Sequence, residues 1–89
     1  MRTIDFAPEA SDTLDAACAR DPLLGERLDT ALDWIEASPV DLRAKRRAFS
    51  GNYFGIEVRW GDEDWLILWR ENPDDPSAPR VDFIGPSFL

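Results

Sequence analysis

The sequence predicts an α+β fold of one domain, residues 1–89, in which an N-terminal strand and a two-helix hairpin precede a three-stranded antiparallel meander. Three observations predict it. Apolar residues recur at helical spacing between Pro8 and Ile35. They recur at the two-residue spacing of strands from Tyr53 onward. The breakers Asp21-Pro22, Gly61-Asp62 and Asn72 to Pro79 fall between these periodic segments. A chain of 89 residues, 44% hydrophobic and 31% charged, lies in the globular range and is long enough for a single, thin core.

Arg2-Thr3-Ile4-Asp5-Phe6 alternates polar and apolar residues and stops before Pro8, as a short strand would. From Pro8 to Arg20, Ala10, Leu14, Ala17 and Cys18 share a helical stripe; Pro8 suits a first helical turn, and Glu9 and Asp12 suit the positive end of the dipole. Asp21-Pro22 reads as an N-cap followed by proline at the first helical position. Leu24, Leu28, Ala31, Leu32 and Ile35 then carry a second helix toward Ser38-Pro39. Cys18 is expected to pack inside the first helix beside Leu14 as a small hydrophobe.

After a connector from Val40 to Gly51 the period changes. Phe54, Ile56, Val58 and Trp60 alternate with Tyr53, Gly55, Glu57 and Arg59, and Gly61 to Asp64 supplies a turn. Trp65-Leu66-Ile67-Leu68-Trp69 is apolar on both faces, as in a central strand, so the two strands form a hairpin. Asn72 to Pro79, with three prolines, is a loop, and Arg80 to Ile84 resumes strand alternation until Gly85-Pro86.

Composition removes whole classes of function. There is no histidine, so no imidazole base, no Ser-His or Cys-His pair and no His-bearing zinc site; carboxylates, Lys45, Tyr53 and arginines are the remaining chemistry. One cysteine precludes an internal disulfide. The N-terminus has no secretory h-region, and the longest apolar run, Trp65 to Trp69, is far short of the roughly 20 residues that span a bilayer. A cytoplasmic, non-membrane protein is expected. Neither a metal nor a cofactor is expected, because the acidic turn Asp62-Glu63-Asp64 and Asp74-Asp75 lack calcium-loop spacing and Gly51, Gly55 and Gly61 form no phosphate loop.

The net charge of −8 is unevenly spread. Residues 1–41 carry ten acids and three bases and residues 61–89 seven and two, whereas residues 42–60 carry one acid and five bases. Arg43, Lys45, Arg46 and Arg47 form a basic patch, with Arg59 on the polar face of the following strand. It is either a solvated connector offsetting the acidic helices or a contact for phosphate, for RNA or for a partner's carboxylates. Trp34, Trp60, Trp65 and Trp69 are expected in or near the core. Trp65 and Trp69 point to one side of their strand with Ile67, Leu66 and Leu68 to the other. The helices cover one side only, so Trp65 and Trp69 are also candidates for a partner-binding surface.

The run Phe49 to Trp69, with Arg59-Trp60-Gly61-Asp62 at its centre and Val81-Asp82-Phe83-Ile84-Gly85 closing it, resembles the RelE/ParE superfamily of toxins from type II toxin–antitoxin systems, including HigB-like members. Ile4-Asp5-Phe6-Ala7-Pro8-Glu9-Ala10 looks like that family's first strand and helix start. The resemblance implies a toxin held by a cognate antitoxin whose tail wraps over the sheet and helices. It further implies either cleavage of ribosome-bound mRNA (an mRNA interferase) or inhibition of DNA gyrase. Lys45, Arg46 and Arg47 match basic positions ahead of the family's second strand, and Arg59 matches its strand-end arginine. Leu66 stands where many members carry arginine, and Pro86 follows the final Ile-Gly where many carry His-Arg. No catalytic residue is assigned, because an endoribonuclease needs an acid and a base that these matches do not supply. A non-catalytic protein-binding module on the same fold is the alternative.

Overall fold

A computed structural model describes residues 4–36, 47–49, 53–72, 74–75 and 78–87, the side chains of residues 47 and 49 excepted. Its elements are β1 (Asp5–Phe6), α1 (Pro8–Arg20), α2 (Pro22–Glu36), β2 (Arg47–Phe49), β3 (Tyr53–Trp60), β4 (Glu63–Arg70) and β5 (Arg80–Pro86). The architecture is α+β. Among the described residues the sheet, however, is five-stranded and mixed, in the order β1-β5-β4-β3-β2, rather than a simple three-stranded antiparallel meander. The β3-β4-β5 core is antiparallel. β1 adds to its β5 edge in parallel, with Asp5 N–H donating to Pro79 O and Ala7 N–H to Val81 O, both at 2.9 Å. β2 pairs antiparallel with β3 and lies within what the sequence presents as connector; three residues are too few for a period to show.

The helices join through one residue. Asp21 N–H donates to Ala17 O and ends α1, while its carboxylate faces the Leu24 N–H at 3.4 Å at the start of α2, the N-cap that Asp-Pro predicts. So tight a connection brings the helices together at Gly25, where a Cβ would lie 2.7 Å from Cys18 Sγ and 3.0 Å from Cys18 Cα. Cys18 is therefore not buried inside the helical layer as a small hydrophobe. It is exposed at the helix–helix seam, because the stripe buried in α1 is Ala10 and Ala17.

α1 lies over β5 and α2 over β3. Leu24, Leu28, Leu32 and Ile35 pack onto Ile56, Val58, Trp65, Ile67, Trp69, Val81 and Ile84. Trp69 is wholly buried, its ring 5.1 Å from Phe54. β3 and β4 turn through Gly61 and Asp62, with Gly61 in the left-handed region at φ 60°, which a side chain would strain. No described helix is long and apolar enough to cross a membrane.

Candidate functional site

The sheet has two unlike faces. Register and alternation put Phe54, Ile56, Val58, Trp60, Trp65, Ile67 and Trp69 on the helix-covered side. Trp65 and Trp69, 4% and 0% exposed, thus belong to the core beneath the helices. The sequence places them on one side, but nothing local says which side the helices take.

No described helix packs on the other face. Leu66 lies at its centre, fully buried, opposite Gly85 and Glu57 in register. The Phe83 ring lies across Gly85, where an added Cβ would come within 2.9 Å of it. Around this apolar patch the polar side chains fall into two groups.

The larger group crosses four strands. The pairing of β4 with β5 slips between Leu68 and Trp69, which oppose Phe83 and Val81, so Asp82 is the extra residue of a β-bulge. The bulge turns its carboxylate onto the open face, between the facing residues Arg70 and Arg80. Arg80 Nε donates to Asp82 Oδ1 at 2.8 Å, and Arg80 also holds Asp5 on β1 at 2.9 Å. Arg70 Nε approaches Asp82 Oδ2 at 3.0 Å as an ion pair, without hydrogen-bond alignment, and the Arg70 guanidinium sits 5.7 Å from the Tyr53 ring centre. Hydrogen bonding to Asp82, then partial burial, pushes the Tyr53 phenol above its usual range. Hydrogen bonds to Asp82 and Asp5 likewise raise the Arg80 pKa and hold the guanidinium charged.

The smaller group is Arg59. It sits on the exposed end of β3 and donates to Asp64 across the hairpin at 3.2 Å, both side chains more than half exposed. Lys45 and Arg46 lie outside the described residues. Arg47 belongs to β2, at the sheet edge, and its side chain is likewise outside them. Arg59, Arg70 and Arg80 thus share one face: Arg70 and Arg80 converge on the Asp82 carboxylate, while Arg59 stands apart on Asp64.

Sequence reasoning missed Asp82, because Arg80 to Ile84 reads as unbroken alternation and a bulge has no signature there. It also missed a clasp on the helical side, where Trp60 Nε1 donates to Asp21 Oδ2 at 2.8 Å across 39 positions. On that side two open clefts flank the helices. One, of about 340 Å³, runs beside Asp12, Ala16, Arg20 and Trp65, whose buried indole N–H has no hydrogen-bond partner among the described residues. The other, of about 370 Å³, is lined by Leu23, Glu26, Arg27, Thr30 and Trp60. Among the described residues no three or more Cys, Asp or Glu gather as metal ligands. No protein-family model, no curated protein and no solved structure matches the chain.

Proposed function

We propose that this chain is the toxin-type member of a type II toxin–antitoxin pair, on a RelE/ParE-like frame, and that it acts by binding protein rather than by cleaving RNA. The order of strand, helical hairpin and antiparallel hairpin supports the frame, together with Arg59-Trp60-Gly61-Asp62 at the hairpin tip. One observation carries the mode of action: the described arginines of the open face are neutralised in place. Asp64, Asp82 and Asp5 hold Arg59, Arg70 and Arg80, and the only tyrosine is kept as a neutral phenol. Cleavage at a 2′-hydroxyl needs a base, an acid and unpaired positive charge at the phosphorane. A face of paired charges around an apolar patch suits a protein partner better. On this reading the cognate antitoxin covers the toxin at rest, and DNA gyrase is the target class that the ParE-like branch offers.

The second reading is the mRNA endoribonuclease of the RelE-like branch, for which Lys45, Arg46 and Arg47 would supply the charge. Inducible expression in a bacterial host, wild type beside a Lys45/Arg46/Arg47→Ala variant, separates the two. Growth arrest with intact mRNA, and gyrase supercoiling inhibited by the purified protein, is the expected result. Transcript cleavage that the triple variant loses would replace binding by catalysis. No arrest, but a stable complex with the co-expressed product of the adjacent gene, would leave a non-catalytic binding module; neither arrest nor complex would overturn the proposal.

A further inference from the structure

The helical side carries a feature that the open sheet face does not explain. Leu23 is the exposed large hydrophobic side chain of the described surface, at 60% exposure, and it borders the cleft of about 370 Å³ whose other wall is the half-buried Trp60 ring. That ring is fixed before any partner arrives. Asp21 accepts its indole N–H at 2.8 Å, and the Arg27 guanidinium lies 5.9 Å from its centre. A clamped indole loses little side-chain freedom on binding, and tryptophan and arginine are the residue types that dominate the energetics of interfaces.

The surroundings of the cleft are acidic. Glu26 lines it, Asp21 lies at the N–H edge of the indole, Asp62 stands in the β3–β4 turn after Gly61, and Glu63 pairs with Trp60 across the hairpin. The two helices carry seven acidic residues, Glu9, Asp12, Asp15, Glu26, Asp29, Asp33 and Glu36, against Arg20 and Arg27. Arg27, the cation among the described residues lining the cleft, is spread over the indole face.

We propose that the Leu23–Trp60 cleft is the docking point of a basic, amphipathic segment of a partner protein. An aliphatic side chain of that segment seats between Leu23 and Trp60, and its flanking lysines or arginines meet Glu26 and the acids of the hairpin turn. The occupant is cationic by charge complementarity: the field of the helical layer attracts a basic segment and repels an acidic one. The surface is on the opposite side from the paired arginines, so the proposal stands independently of what the open face binds.

Two synthetic peptides of 14 residues with the same leucine stripe at helical spacing test it, one with lysine and one with glutamate at every other position. Their binding is followed through the four tryptophan indole N–H resonances of the full-length, isotope-labelled protein. A Trp60→Phe variant identifies the Trp60 signal. The lysine peptide is expected to move that signal saturably at 0.15 M salt, and the glutamate peptide to leave it in place. Leu23→Ser, at an exposed site that leaves the fold unchanged by circular dichroism, is expected to weaken binding about tenfold. Three results overturn the proposal. A lysine peptide that leaves the Trp60 signal still, or binds Leu23→Ser as well as wild type, shows no anchor there. A glutamate peptide that binds equally removes the charge argument. A Trp60 signal that moves with protein concentration alone makes a second copy of this chain the occupant.

Discussion

Gly25→Ala tests the packing of the helical hairpin with a change whose sign is in question. Glycine in a helix interior costs about 1 kcal/mol relative to alanine, so propensity alone predicts that the substitution stabilises. The geometry predicts the reverse. An added Cβ would lie 2.7 Å from Cys18 Sγ, 3.0 Å from Cys18 Cα and 3.2 Å from Cys18 Cβ. The exposed Sγ can rotate away, but Cα is backbone, and moving it means parting the helices by roughly half an ångström or more to reach the 3.5–4.0 Å of ordinary carbon contacts. The helices cannot part freely, since Asp21 alone joins them, with its N–H on Ala17 O at 2.9 Å and its carbonyl on Gly25 N–H at 3.0 Å. Overpacking of this kind costs about 1–3 kcal/mol, and with the propensity gain subtracted the expected net loss is about 1 kcal/mol. That is a sizeable part of the roughly 4–13 kcal/mol available to a chain of this size. Urea denaturation followed by tryptophan fluorescence measures it, and the melting temperature should fall by about 4–8 °C. Adding Cys18→Ala should recover only the sulfur's part of the loss, because the contact with Cα remains. A Gly25→Ala protein more stable than wild type by about 1 kcal/mol would refute the reasoning and show the seam to be soft.

The polar group of the open face makes a spectroscopic prediction: with Tyr53 the only tyrosine, absorbance near 295 nm titrates it alone, and its midpoint should lie above the ordinary 10.0, returning toward it in Asp82→Asn. Because the folded protein holds the phenol protonated, the stability linked to it is present below pH 10 and is lost as pH rises through the folded-state pKa, so Tyr53→Phe should flatten the alkaline limb of a stability-against-pH curve. At the centre of the same face, Leu66→Ala should cost about 2–5 kcal/mol in urea denaturation, and Leu66→Arg at least as much, because it buries a guanidinium whose desolvation a single cross-strand carboxylate, Glu57, does not offset; a Leu66→Arg protein as stable as wild type would show that pairing with Glu57 meets that cost.

Most elements could be read from the sequence because their signals are local. Pro8, the alanine and leucine spacings and Asp21-Pro22 mark α1 and the start of α2, and the alternation from Tyr53 to Trp60 marks β3. What escaped is set by distance or brevity. Two residues of β1 hold no trace of their parallel pairing with β5, seventy-five positions away. The bulge at Asp82 is a property of two strands in register, and neither strand shows it alone. Cys18 falls on the stripe that Leu14 and Ala17 define, yet the approach of Gly25 from the next helix, not the stripe, decides its place. The site was legible as residue types rather than as an arrangement. Arg59 is where alternation puts it, on the polar face, while its carboxylate comes from the far strand of the hairpin.

The same arrangement changes what the net charge of −8 means for a partner. A chain-wide excess of acid would oppose an RNA partner everywhere if it were evenly spread. Here the arginines of the described part of the open face are paired, and the two helices carry seven carboxylates against two guanidinium groups. The basic run enters the sheet at β2, the edge strand farthest from β1. A helix layer lies roughly 10 Å from the sheet it covers, and at physiological salt the Debye length is about 8 Å, so exposed charges in one layer are largely screened from those in the other. The helical surface can therefore select the cation-rich segment proposed above independently of what the sheet meets. A two-protein assembly in which one partner is held on the helices while another target is met elsewhere needs that separation, and a uniformly acidic surface would not provide it.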